Sequence, residues 1–169
     1  MSASEYLDKD WHYEEATFFY KKLIGLGDIN IYDREEMDKQ TTKALYYLDA
    51  FLTSYVSIFY KLKAEYQNKA GFNDWFDKKV AKVRTDKKGR EHLKFIDSDI
   101  EQIVKGRHTV IHNLDLFLNN VSVVNNRGKN YMAITFMDDE AVDIKDRCWV
   151  ALEKAKAVIT ECETTFAKN

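Results

Sequence analysis

The sequence predicts an all-α fold, an up-and-down helical bundle of four to five helices with a small β-hairpin insertion near residues 121–136. The chain has no proline and only six glycines, which favours long helices over a turn-rich β fold. Apolar residues recur at three-to-four spacing along most of its length, and two β-rich runs flank Gly128. Its 169 residues, 45% hydrophobic and 32% charged, predict a single domain spanning residues 1–169.

The charge and hydropathy of the chain limit the classes of partner that it is expected to bind. The formal net charge of -2 provides no overall attraction to nucleic acid, so any RNA contact requires a local basic patch. No apolar run approaches the eighteen or so residues that span a bilayer, and the N-terminus does not resemble a signal peptide. We therefore expect no membrane association and a cytoplasmic location. Cys148 and Cys162 lie roughly 21 Å apart on one predicted helix, so we expect reduced core cysteines, with an intermolecular disulfide left open.

The first two predicted helices contain the strongest apolar stripes. The first runs from about Leu7 to Ile24 and ends at Gly25 and Gly27. His12 is expected to be a half-exposed residue on its surface. The second, from about Arg34 to Asn68, is apolar around most of its girth and therefore needs cover from neighbouring helices or a second copy of the chain. Its aromatic residues are expected to pack in the core, with base stacking as the alternative.

A basic segment follows the second helix. Asn73 is a plausible N-cap for a short helix from Asp74 to Arg84, and cationic residues accumulate from Lys78 onwards. These cations form the one candidate phosphate-binding surface in a chain of acidic balance. The candidate RNA contacts in this segment are Lys82, Arg84, Lys87 and Lys88. A solvated loop without function is the alternative.

The second half of the chain predicts two more helices and a hairpin. A third long helix is expected to begin near Glu91, with Leu93, Ile96, Ile100 and Ile103 on its core face. Residues 114–118 predict a short buried segment. Residues 121–124 and 131–136 predict paired strands whose turn contains Gly128. The last helix is expected to begin near Asp138 or Asp139.

A short motif in the third long helix carries the candidate chemistry. The segment from Lys105 to Asn113 reads Lys-Gly-Arg-His-Thr-Val-Ile-His-Asn. Arginine binds phosphate in a fixed fork at any biological pH, and histidine has an ordinary pKa near neutrality, so the pair can act on a phosphodiester. On an unbroken helix Arg107 and His112 would be rotated by about 140° from one another. We expect Gly106 to interrupt the helix, so that both side chains reach one cleft.

The arrangement of Arg107, His108 and His112 resembles the signature of the HEPN superfamily: arginine, a polar residue, and histidine a few residues later. The resemblance implies a HEPN-like helical domain and a metal-independent endoribonuclease acting on RNA as a homodimer, in phage defence or stress response. In that mechanism His112 is the general base or acid and Arg107 stabilises the scissile phosphate. His108 or Asn113 would orient the imidazole or bind a phosphate oxygen, and Lys105 would assist in binding substrate.

Cofactor chemistry is not predicted. His92 stands alone, and Cys-x-x-Cys, phosphate-loop and dinucleotide signatures are absent, so we expect neither metal nor cofactor. HEPN toxins with a nucleotidyltransferase antitoxin commonly carry tyrosine where this chain has Leu114, so an antitoxin partner is left unknown.

Two alternatives to catalysis stay open. In one, Arg107 caps a helix or pairs with an acidic neighbour, and His112 is a core or interface residue. In the other, the domain is a non-catalytic HEPN-like module that dimerises or binds RNA or a nucleotide.

Overall fold

The computed structural model describes residues 8–26, 32–112, 121–136 and 139–166. Within these, 106–112, 121–126, 131–136 and 139–142 are described by their backbone alone. The described chain contains five helices and five strands. In order they are α1 (Lys9–Ile24), α2 (Arg34–Tyr66), α3 (Phe72–Lys79), β1 (Ala81–Thr85), β2 (Glu91–Phe95), α4 (Ser98–His112), β3 (Val121–Asn126), β4 (Lys129–Phe136), β5 (Asp139–Asp143) and α5 (Ile144–Phe166). The predicted helical bundle with a hairpin at 121–136 is confirmed.

Helices α1 and α2 form an antiparallel pair. The backbone N–H of Lys9 donates to Glu65 Oε1 at 3.0 Å, while at the other end the rings of Phe19 and Tyr46 lie 6.3 Å apart. Each helix is N-capped by an aspartate carboxylate: Asp8 for α1 and Asp33 for α2. Both helices therefore begin and end close to where their stripes and caps predict.

The core is centred on α2. Seven of its large apolar side chains are completely enclosed: Leu48, Phe51, Leu52, Tyr55, Ile58, Phe59 and Leu62. Helices α1, α4 and α5 pack on α2 and supply the cover that its apolar girth requires. The Tyr55 hydroxyl donates to the Ala151 carbonyl at 3.2 Å, which satisfies the one polar atom of that ring.

The segment between α2 and α4 differs from its prediction. The short helix runs from Phe72 to Lys79 and not from Asp74 to Arg84, with Gly71 instead of Asn73 at its N-cap, and no helix begins at Glu91. Instead β1 and β2 pair as an antiparallel hairpin. The reason is that buried and exposed side chains alternate at every second residue, as a half-exposed strand requires. The buried positions, which alternate with charged residues, are Ala81, Leu93 and Phe95. Ile96, expected in the core, is 50% exposed, because it lies beyond the buried face of β2.

The predicted second hairpin is present and carries a third strand. β3 and β4 join through Arg127 and Gly128, both at positive φ, the conformation of a type I′ turn. β5 pairs with β4, so α5 begins at Ile144 and not near Asp138 or Asp139. The acidic segment forms a strand because the outer edge of β4 offers it backbone partners.

The two cysteines are free and buried on α5, which confirms their predicted place in the core. Burial raises the pKa of Cys148 well above its usual range and that of Cys162 to about 12. The predicted buried segment at 114–118, Leu7 and Gly27 lie outside the described residues. Among the helices that the structure describes, none has the length and apolarity needed to cross a bilayer.

Candidate active site and basic surface

The motif lies on an uninterrupted helix. α4 runs from Ser98 to His112 through Gly106, so the expected break at that glycine is wrong. Glycine costs only about 1 kcal/mol relative to alanine inside a helix and, unlike proline, keeps its N–H donor. The apolar anchors earlier in α4 outweigh a cost of that size.

Helical continuity fixes how the motif positions are related. Arg107 and His112 are five residues apart, and their positions are rotated by about 140° around the α4 axis. His108 and His112 are four residues apart and share one side of the helix, at about 40°. The backbone therefore groups the two histidines and sets the arginine apart from His112. Asn113 lies outside the described residues.

The first half of α4 is held firmly. Ile100 and Ile103 are buried in the core. At the helix start the Asp97 carboxylate accepts from the N–H of Ile100 at 3.2 Å, and Glu101 Oε2 accepts from the N–H of Phe95 at 2.9 Å. The second contact ties α4 to the end of β2. The motif thus extends from a rigid, doubly anchored helix start.

An ion pair joins α4 to α5. Lys154 Nζ lies 2.8 Å from both carboxylate oxygens of Asp97 and 2.5 Å from Asp99 Oδ2. Burial alone would raise the pKa of Asp97, but hydrogen bonds from Lys154 and the Ile100 N–H outweigh it and lower that pKa. Burial likewise opposes the charge of Lys154, yet its two aspartate partners raise the Lys154 pKa. Both groups are therefore stabilised in their charged forms.

The basic hairpin is organised by its turn. The Asp86 carboxylate accepts from the N–H groups of Lys88 and Arg90 at 2.8 and 2.9 Å, and Gly89 follows with a φ of +76°. Arg90 also binds the Asp86 carboxylate through its guanidinium, at 2.9 Å from Nε. This pairing neutralises Arg90 and leaves Lys87 and Lys88 exposed on the turn.

One face of the hairpin is basic throughout. Lys82 lies opposite Lys94, and Arg84 lies opposite His92, in the antiparallel register. All four side chains are exposed, because the residues between them turn towards the core. We call these four residues the basic face. Lys94 and His92 were not among the predicted contacts, although their alternation with Leu93 and Phe95 was the signal that places them there.

Two other lysines near the hairpin have acidic partners. Lys79 Nζ lies 3.6 Å from Glu161 Oε1, and Lys105 Nζ lies 3.8 Å from Glu101 Oε1. Within the part of the chain that the structure describes, no carboxylate lies within ion-pair distance of the basic face or of the two turn lysines. The predicted contacts Lys82, Arg84, Lys87 and Lys88 are therefore brought together on one hairpin, while Lys105 is separate and paired.

The motif contains one metal-ligand spacing that the sequence-based prediction did not include. His108 and His112 form a His-x-x-x-His spacing, which on a helix can supply two ligands to one ion. A structural or catalytic zinc needs at least three protein ligands. Among the side chains that the structure describes, which do not include His108 and His112, no group of three side chains of ligand type occurs. His12, by contrast, is partly buried beside Glu15 at 3.3 Å, a structural role close to the expected one.

Comparison of the chain with protein-family models, with curated proteins and with solved structures gives no match.

Proposed function

We propose that the protein is a metal-independent endoribonuclease of HEPN type that acts as a homodimer. The observation that carries the proposal is the Arg107-to-His112 motif on α4, a helix that is separated from the basic hairpin by only two residues. The motif supplies a phosphate-binding cation and a proton-transfer group, and the hairpin adds unpaired positive charge nearby in the sequence. Both are required of an enzyme that cuts RNA without a metal ion.

The reaction balances without a co-reactant. His112 takes the proton of a ribose 2′-OH, the 2′-oxygen attacks the adjacent phosphorus, and the bond to the 5′-oxygen breaks. A second histidine donates a proton to that leaving oxygen. The products are a 2′,3′-cyclic phosphate and a 5′-hydroxyl, and Arg107 stabilises the charge that gathers on the phosphoryl oxygens.

The continuity of α4 favours an active site shared between two protomers. Because Arg107 and His112 are rotated by about 140° on one helix, a single copy does not bring both positions to one side. Two copies related by a two-fold axis present each surface patch twice, so Arg107 of one protomer can meet His112 of the other. His108, four residues before His112 and on the same side of α4, is the candidate for the second histidine.

Exposed aromatic side chains support association. Phe18, Tyr46 and Trp149 are 52, 63 and 51% exposed, and they form two aromatic groups with rings of α1: Phe19 contacts Phe18 and Tyr46, and Tyr20 contacts Trp149. Aromatic residues are enriched at protein–protein interfaces. Analytical ultracentrifugation at micromolar concentration gives the oligomeric state directly.

Cleavage of a labelled single-stranded RNA tests the chemistry. We expect cutting in excess EDTA, 2′,3′-cyclic phosphate ends, and no cutting at a 2′-deoxy position. His112→Ala is expected to abolish cutting and Arg107→Ala to slow it by two to three orders of magnitude. His12→Ala is the matched control and is expected to cut normally. Loss of cutting in EDTA with recovery on adding zinc would instead assign the His108–His112 pair to a metal.

Mixing the two impaired variants tests whether the active site is shared between protomers. A heterodimer of Arg107→Ala and His112→Ala contains one site in which both residues are intact, if the site combines residues from both protomers. We expect cutting to recover to a measurable fraction of wild type after the two proteins are mixed and refolded together. If both residues act within one protomer, no mixture recovers activity.

The non-catalytic alternative makes a different prediction. A domain that binds RNA or a nucleotide without cutting would retain affinity while leaving all substrates intact. Binding with no detectable cleavage over a panel of structured and unstructured RNAs selects that alternative.

A further inference from the structure

We propose that the basic face of the β1–β2 hairpin and the adjoining cleft beside α2 bind single-stranded RNA, with phosphates on the basic face and one base in the cleft. The inference concerns binding alone, so it can hold whether or not the protein cuts RNA. It extends the site beyond the motif and assigns contacts to Tyr60, His92 and Lys94.

The first argument is an electrostatic conflict within the hairpin. Lys82 and Lys94 are directly opposite one another, where side chains of like charge destabilise an antiparallel pair. Arg84 and His92 add a second pair of basic residues on the same face. No described carboxylate relieves this repulsion, whereas Arg90 in the same hairpin is neutralised by Asp86. Unrelieved repulsion of this kind is typical of functional surfaces, and a bound polyanion would remove the repulsion.

The second argument is the cleft next to the basic face. It has a volume of about 210 Å³ and lies between α2 and the hairpin. Tyr60, Lys63, Ala64 and Gln67 of α2 line one side, and Val83, Glu91, His92 and Leu93 of the hairpin line the other. Because Val83 and Leu93 face the core, the cleft lies under the hairpin, and His92 is the residue that it shares with the basic face. The volume is below the roughly 300–1,000 Å³ of pockets for drug-sized ligands, which suits a fragment as small as one base.

The cleft contains the groups that read a base. Tyr60 is 43% exposed and makes no ring contact with another described aromatic residue, so its ring is available for stacking. Gln67 and Glu91 offer an amide and a carboxylate to the edge of a base. An aromatic ring beside a positively charged track is the usual arrangement for binding single-stranded nucleic acid.

His92 belongs to both the basic face and the cleft. It belongs to the basic face by its cross-strand pairing with Arg84, and it also lines the cleft. A nucleotide whose base enters the cleft therefore lies beside His92 of the basic face and the ammonium of Lys63. A duplex does not fit this arrangement, because its bases are paired and stacked.

Salt-dependent binding tests the phosphate contacts. The probe is a fluorescent 20-nucleotide oligouridine, and the background is His112→Ala, so that cleavage does not interfere. Lys82→Gln/Lys94→Gln is expected to lower the slope of log affinity against log salt by about 1.4, since each contact with a single strand contributes about 0.7. With equal affinities extrapolated to 1 M salt, binding at 0.1 M salt weakens by about 25-fold.

The matched control is Lys21→Gln/Lys43→Gln. These lysines are exposed and lie near the opposite end of the α1–α2 pair, and the variant has the same change in net charge. It is expected to bind with nearly unchanged affinity and slope. An equal loss in the control, or no loss in the hairpin variant, overturns the proposal. Tighter binding of anionic phospholipid vesicles than of the oligouridine overturns it as well.

Two substitutions at Tyr60 test the base contact. Tyr60→Ala is expected to weaken binding of the oligouridine by about five- to hundredfold, whereas Tyr60→Phe keeps the ring and nearly all the affinity. An abasic sugar-phosphate oligomer should bind the wild type and Tyr60→Ala equally. If Tyr60→Ala binds the oligouridine as tightly as wild type, the cleft does not hold a base. Failure of cleavage alone leaves these binding results unaffected.

Discussion

Lys154 Nζ lies 2.8 Å from both carboxylate oxygens of Asp97, so an ammonium on α5 fixes the residue that caps α4. The two residues that make this contact are 57 positions apart in the sequence. It connects the last helix of the bundle to the helix that carries the motif.

Lys154→Met is therefore expected to lower the free energy of unfolding by about 1–2 kcal/mol, between the values for exposed and buried ion pairs. The variant leaves two aspartates without their cation at the start of α4. Urea denaturation monitored by circular dichroism measures the loss. Lys156→Met, an exposed neighbour on α5, is the control and should change stability by less than about 0.5 kcal/mol.

The same pair predicts a dependence on acid. Because the folded state lowers the pKa of Asp97, its contribution is complete above the ordinary aspartate value and is lost as pH falls through the lowered value. The difference in stability between wild type and Lys154→Met should therefore narrow as pH is lowered from about 5 to about 2. Urea titrations at several pH values measure it. A difference that stays constant over this range would contradict the assigned pairing.

A second buried cation ties three helices together. Lys9 is 5% exposed, and its ammonium lies 2.8 Å from Asp10 and from Glu163 and 3.6 Å from Glu65. Burial opposes its charge, but the carboxylates outweigh burial and raise the pKa of Lys9. Its contribution to stability is therefore complete below the ordinary lysine value and is lost only as pH rises through the raised one.

Lys9→Met is expected to destabilise the fold by about 2–4 kcal/mol at pH 7, because it leaves three carboxylates without their shared cation. Adding Glu163→Gln should recover part of that loss, since one of the uncompensated charges is removed. Thermal and urea unfolding of the single and double variants measure both effects. Equal stability of wild type and Lys9→Met would show that the three carboxylates do not depend on this ammonium.

The continuous path of α4 makes a prediction at Gly106. Alanine has the higher helix propensity, so Gly106→Ala is expected to raise the free energy of unfolding by about 0.5–1 kcal/mol. A break at this position would reverse the sign, because a non-helical glycine conformation penalises a side chain. Gly106→Pro is the opposing variant and should cost about 3 kcal/mol. Denaturation midpoints compare the three proteins.

The long helix α2 and the β3–β4 hairpin were predictable, whereas the β1–β2 hairpin was not. The apolar stripe of α2 extends over about six turns, from Leu45 to Tyr66, and Gly128 marks the turn of the β3–β4 hairpin clearly. The β1–β2 hairpin contains only five residues in each strand, and its abundant lysine resembles a solvated helix or loop. The alternation of buried and exposed residues identifies these strands only when Phe95 is known to pack against Phe59, with 4.9 Å between the ring centroids.

The candidate site was predictable as a set of residue types but not as an arrangement. Lys82 and Arg84 were identified from local charge, whereas Lys94 and His92 join them only through the register of two strands. The relation of Arg107 to His112 depended on whether a glycine interrupts a helix. That outcome is decided by tertiary anchors such as Ile103, which local propensity does not include.

The hydrogen bond from Tyr55 to the Ala151 carbonyl spans 96 positions and has a consequence for synthesis. During translation, α1 and α2 leave the ribosome long before α5, so the side of α2 that α5 covers stays exposed until α5 emerges. A nascent chain of this length is a natural client for chaperones, and premature termination before residue 144 would release a product prone to aggregate.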